Sequence, residues 1–221
     1  SKDVDNVLLS AVNLYGPDIT TADVESFYSD KISPNKDKPL SFGLNSQLVK
    51  INGELTERVY KSGGLYGAAI DEITKWLELA QGVAENTAQG EALGLLIEYY
   101  KTGDLQVWDD YNVAWTAATE GNIDYINSFI EVYNDPVGYT GSYETIVQVK
   151  DFDMSQKMAV LSENAQWFED NSPLMDAHKK KNVVGVSYKV VNVAGEAGDA
   201  SPSTPIGVNL PNANWIRAAV G

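Results

Sequence analysis

Apolar residues in the middle of the chain recur at helical spacing. In AAIDEITKWLELAQGVAEN, Ile70, Ile73, Leu77, Ala80 and Val83 return at three- and four-residue steps, which builds one helical face. NTAQGEALGLLIEYYKTG opens on Asn86 and Gln89 in a capping-box spacing and closes on Gly103, so it reads as a second helix. DLQVWDDYNVAWTAATEG sets Trp108, Tyr111 and Trp115 on one face of a third, stopping at Gly121. NIDYINSFIEVYNDP has Asn122 as a cap and Pro136 as a stop, and reads as a fourth. Four helices in series predict a compact helical block.

The pattern differs on either side of that block. QLVKINGELTERVY places Asn52-Gly53 between two extendable runs, the signature of a type I′ hairpin. DITTADVESFYSD reads as a short helix ended near Pro34. Downstream, GSYETIVQVK alternates and is β-branched, as a strand requires. DMSQKMAVLSENAQWFED reads as a helix capped by Asp153 and Gln156, NVVGVSYKVVNVAG as another extended run, and EAGDASPSTP as a loop. The predicted class is α+β: a helix-rich lobe with a small β-core in a strand-rich second half. Trp76, Trp108, Trp115 and Trp167 fall on the helical faces and are expected in the core.

Composition narrows the chemistry. Hydrophobic residues make up 43% of the 221, enough for a normal core. A net charge of −15 opposes nucleic-acid binding and favours cationic ligands, such as the free amino end of a peptide. No run approaches the roughly 20 apolar residues of a membrane span. The start shows no leader, so any signal peptide is absent or removed. The compartment stays open, with the cytoplasm favoured over the envelope or periplasm. There is no cysteine, which excludes disulfides and thiolate chemistry. The one histidine, His178, lies in the polar run MDAHKKKN and reads as a surface residue. One histidine cannot build a paired-histidine zinc site. Acid pairs such as Asp109-Asp110 read as solvated helix surface. Asp124 and Glu131, seven apart on the expected fourth helix, would share a face.

Three segments carry a family resemblance. They are VAENTAQGEALGLLIEYYKTGDLQVW (83–108), NIDYINSFIEVYNDPVGYTGSYE (122–144) and GVNLPNANWIR (207–217). Together they resemble dipeptidyl peptidase III, a family of zinc exopeptidases that release dipeptides from the amino ends of short peptides. The resemblance runs in order over nearly the whole chain. It implies a two-lobed enzyme whose zinc sits in a helical upper lobe, on a His-Glu-x-x-Gly-His helix and a later Glu-Glu helix. Both would follow residue 221, so this chain is expected to be a truncated piece, mostly the lower lobe. Residues 1–152 would form the helical block with its hairpin, and 153–182 an excursion toward the upper lobe. Residues 183–221 would supply a strand and the substrate-binding bend.

The same resemblance implies site residues. Asn209 and Asn212 match two asparagines that hydrogen-bond peptide backbone, with Pro211 stiffening the bend between them. Gly207 matches a glycine at a strand edge, where an extended peptide would pair. Asp124 stands where the family carries a glutamate that holds the substrate's amino end. The family tyrosine two places after that acid is replaced by Ile126, with Tyr125 one place earlier. No catalytic or metal-binding residue is expected in this chain, and zinc belongs to the parent enzyme. The expected partners are short peptides and the remaining catalytic lobe, with no nucleic acid or membrane. Two other readings stay open: a zinc-free peptide-binding module, and a helical scaffold for protein contacts.

Overall fold

The computed structural model describes residues 5–183, 189–201, 205 and 207–220. Helices α1 (Asn6–Leu9) and α2 (Thr21–Ser29) lead into a hairpin of β1 (Ser46–Ile51) and β2 (Glu54–Val59). Asn52 and Gly53 both take positive φ, 54° and 86°, as the type I′ turn demands. Three helices follow: α3 (Gly67–Gln81), α4 (Thr87–Thr102) and α5 (Leu105–Ala117). Asn86 caps α4 by accepting from Gln89 N. The Gln89 side chain reaches back to Glu85 N rather than Asn86 N, so the box is shifted by one residue. Ile70 is buried on α3, while Val83 lies beyond the helix and is exposed.

The expected fourth helix is a strand. Ile123–Glu131 forms β3 and pairs antiparallel with β4 (Ser142–Lys150), which pairs in turn with β5 (Val191–Gly198). The helical spacing was misleading because the strand is buried on both faces. Ile126, Ser128, Phe129 and Ile130 are all buried, so no polar alternation marks the sheet. Asn122 caps nothing. Its N–H and that of Ile123 donate to the Glu85 carboxylate at 2.8 and 2.9 Å, which pins the entry to β3. These bonds, the one from Ile123 first, lower the Glu85 pKa. α5 also ends at Ala117, short of Gly121.

After β4 come α6 (Phe152–Glu163) and α7 (Ala165–Asp170), broken at Asn164 where one helix was expected. Asp151, not Asp153, caps α6, accepting from Met154 N at 2.9 Å. Neither helix buries a residue, and Phe152, Val160, Trp167 and Phe168 are all at least half exposed. Trp76 and Trp167 therefore stand outside the core, while Trp108 is inside it. The extended run at 182–195 is strand from Val191, and β5 continues into the expected loop as far as Gly198. Residues 184–188 and 202–204 lie outside the described residues. Helix α8 (Asn214–Val220) closes the described chain and packs on α5.

Among the described residues two apolar clusters hold the fold. The larger joins α3, α4 and α5 to β3 and β4 through Ile70, Leu96, Tyr99, Trp108, Ile126 and Ile146. The smaller gathers Leu8, Tyr15, Val24, Tyr28 and Leu48 under the hairpin. A buried carboxylate ties the second to the turn after β3. Asp135 Oδ2 accepts from the Tyr15 hydroxyl at 2.6 Å, Tyr139 N at 2.8 Å and Thr140 N at 2.7 Å. Its Oδ1 accepts from Val137 N at 3.0 Å.

Candidate functional site

Residues 207–213 run without regular structure into α8, with a cis Leu210–Pro211 bond at the bend. Leu210 packs against the larger core, and Pro211 is buried. Arg217 on α8 folds back over the bend. Its Nε donates to Pro211 O at 2.8 Å and its Nη2 to Asn212 O at 3.1 Å. The guanidinium thus fixes the main chain that carries both asparagines.

Asn209 and Asn212 are exposed and line one groove, a cavity of about 450 Å³. Three carboxylates line it with them: Glu131, Glu144 and Asp199. Asn212 Nδ2 donates to Glu131 Oε1 at 3.1 Å. Asn134 Nδ2 donates to both Asp199 oxygens, at 3.2 and 3.1 Å. Burial, then the charges of Glu131 and Asp199, push the Glu144 carboxyl up to about 6.

A β-bulge aims Glu131 at this groove. Ser128 pairs with Glu144, Phe129 with Tyr143 and Glu131 with Ser142, leaving Ile130 as the extra residue. The bulge returns Glu131 to the strand face of Ile126 and Glu144. Sequence spacing also put Glu131 beside Asp124, but on a helix.

The other expected site residues are dispersed. Gly207 lines the groove, but it belongs to no strand, so the expected strand edge is not present at that position. Asp124 is exposed in β3, and its Oδ1 accepts from Trp115 Nε1 and from Tyr125 N. Tyr125 buries its hydroxyl without a hydrogen-bond partner. Burial raises its pKa well above the usual phenol value. Neither residue lines the groove. On a strand, Tyr125 and Ile126 face opposite sides rather than differing by a helical rotation, so Tyr125 cannot take the place of a tyrosine at 126.

Three residues of the region escaped sequence reading. Glu144 and Asp199 join the groove only through the β3–β4–β5 register. Asp109, expected to be solvated, is 2% exposed on α5. Its sequence signal is its position one residue after Trp108 and three before Asn112, inside a wide buried face.

The groove can hold a cationic amino group among carboxylates and bond a peptide main chain through two amides. A zinc centre does not fit these residues. His178 is exposed in a short 3₁₀ turn, Asp176–His178. Among the described residues no group of three or more His, Cys, Asp or Glu side chains could hold a metal ion. Nor, among the described residues, is any helix long and apolar enough to cross a membrane.

A sequence profile described as Peptidase family M49 matches residues 43–221, which sets the class: a peptidase family. Human dipeptidyl peptidase 3 is 27% identical over 158 residues, 72% of this chain and 21% of that protein. Dipeptidyl peptidase 3 of Dictyostelium discoideum is 27% identical over 226 residues, 94% of this chain and 32% of that protein. The solved DPP III of Caldithrix abyssi shares the fold, with a TM-score of 0.76 at 23% identity. That likeness covers 96% of this chain and 40% of that one. The chain belongs to peptidase family M49, the family of dipeptidyl peptidase III. It spans a third or less of the length of these curated relatives.

Proposed function

We propose that this chain is the peptide-gripping part of a zinc-dependent dipeptidyl peptidase that releases dipeptides from the amino ends of short peptides. The observation that carries this reading is the shared groove of Asn209, Asn212, Glu131, Glu144 and Asp199. Each asparagine amide can satisfy an N–H and a C=O of any peptide, so the grip does not depend on side chains. The carboxylates suit the peptide's ammonium end. The Arg217 bonds keep the bend ordered before a peptide arrives, which lowers the cost of binding.

Zinc, held by a remaining lobe, would polarise the scissile carbonyl; the residues of this chain bind and orient. On this reading 1–152 and 183–221 form the substrate lobe, and 153–182 reach toward that remaining lobe. The exposed apolar side chains of α6 and α7 support such a contact.

The test is calorimetric titration of an unblocked pentapeptide into the full-length protein carrying this chain. The variant Asn209→Ala with Asn212→Ala should weaken binding about 30-fold, on the order of 2 kcal/mol for two lost main-chain contacts. Equal affinity in both folded proteins would favour a scaffold without a peptide site. The 221-residue chain by itself should hydrolyse no dipeptidyl arylamide. Chelator-sensitive turnover from it would refute the assignment of catalysis to a separate lobe.

A further inference from the structure

Behind the bend lies a second cavity of about 550 Å³, and Asp109 lines it. We propose that this cavity is a binding site for an organic ammonium ion, with Asp109 as the acceptor.

Asp109 is the group that calls for an occupant. It is 2% exposed, and its Oδ2 is buried with no hydrogen-bond partner. Buried carboxylates are otherwise paired or hydrogen-bonded, because the bare charge is costly to desolvate. The rest of the wall matches an ammonium. Asn112 donates its Nδ2 to Trp108 O at 2.9 Å, which leaves the amide oxygen as an acceptor. Glu131 adds a second carboxylate at the end shared with the peptide groove. Aromatic rings of Tyr28, Trp108, Tyr133 and Tyr139 line the same space. Ring faces attract organic cations, and an aromatic wall around a carboxylate is the chemistry that recognises alkylammonium groups.

An anion would meet Asp109 and Glu131. Among the described residues the one cationic side chain in the wall, Arg217, is already engaged on Pro211 O and Asn212 O. A metal ion would need more convergent oxygens than the described residues supply. The two cavities share Glu131, Tyr133, Leu210, Asn212 and Arg217, but Asp109 lines only this one and Asn209 only the groove.

Binding a cation favours the ionised carboxyl, so occupancy should expel a proton. Asp109 is held up to about 7, first by burial and then by the charge of Asp110 on the same helix. Among the described residues, the other titratable or charged groups lining the cavity are Tyr28 of α2, Glu131 and Tyr133 at the end of β3, Tyr139, and Arg217 of α8, while Lys31, paired with Glu57, stands over the Tyr28 and Phe42 rings.

The probe is n-butylammonium chloride, with n-butanol as the neutral isostere, titrated calorimetrically at pH 8 into the full-length protein carrying this chain. Saturable ammonium binding is expected, at least tenfold weaker in Asp109→Asn and unchanged in Glu144→Gln with Asp199→Asn, two carboxylates that line only the groove. The last comparison separates this site from the peptide groove. At pH 6, titrations of the unmutated protein in two buffers of different ionisation heat should show close to one proton released. This readout needs no variant to fold. Absence of binding, equal ammonium affinity in Asp109→Asn, butanol binding as tight as the ammonium, or binding without proton release would each overturn the proposal.

Discussion

Asp135→Ala is expected to lower the unfolding free energy by about 3–5 kcal/mol, read as a shift in urea midpoint at pH 7. The carboxylate is 5% exposed and accepts four hydrogen bonds, three from backbone N–H groups and one from Tyr15, 120 residues away in sequence. Alanine leaves those donors desolvated and unpaired, and each orphan costs about 1–3 kcal/mol before relaxation. Local rearrangement recovers part of the sum. The change also unlinks the N-terminal cluster from the turn after β3, so the loss should appear in global unfolding. Asp135→Asn keeps one carbonyl oxygen and should lose less. A midpoint unchanged in the alanine variant would show that the turn holds without its carboxylate.

The second large effect has the opposite sign. Asp109→Asn should stabilise the protein at pH 8 by about 3–4 kcal/mol. The carboxyl titrates near 7 in the fold against an ordinary 3.8, so the native state holds its proton where the unfolded chain has lost it. Between about pH 4 and pH 7 the native state therefore binds more protons, and stability falls as pH rises. Above 7 the full cost of an ionised, unpartnered carboxylate is present. Asparagine removes that cost. Glu144, pushed up to about 6, adds a smaller fall of the same sign in both proteins. Thermal melts from pH 4.5 to 8.5 test this. The melting temperature of the unmutated protein should decline across the range much more steeply than that of the variant. Parallel profiles would show that Asp109 is ionised without penalty.

Local chemistry made much of this architecture legible. Asn52-Gly53, Asn86, Gly103 and the alternation of 142–150 each mark an element end or type without tertiary help. The 122–136 segment was not legible, because a strand covered on both faces loses the polar alternation that identifies strands. That one inversion hid most of the site. With 123–131 read as a helix, Glu131 could not be placed opposite Ser142, and Glu144 and Asp199 had no reason to join it. Asn209 and Asn212 were found through family resemblance, since an Asn-Leu-Pro-Asn run by itself is an ordinary turn. Asp109 looked solvated because adjacent acids usually are; only the packing of α5 separates it from the exposed Asp110.

The bare aromatic and aliphatic side chains of α6 and α7 have a colloidal consequence. A net charge of −15 makes copies of this chain repel one another at low ionic strength. Salt shortens that repulsion to about 10 Å at 0.1 M and about 3 Å at 1 M, while attraction between greasy patches persists. Expressed alone, the chain should stay monodisperse in dilute buffer and self-associate as salt is added, the reverse of a particle held together by ion pairs.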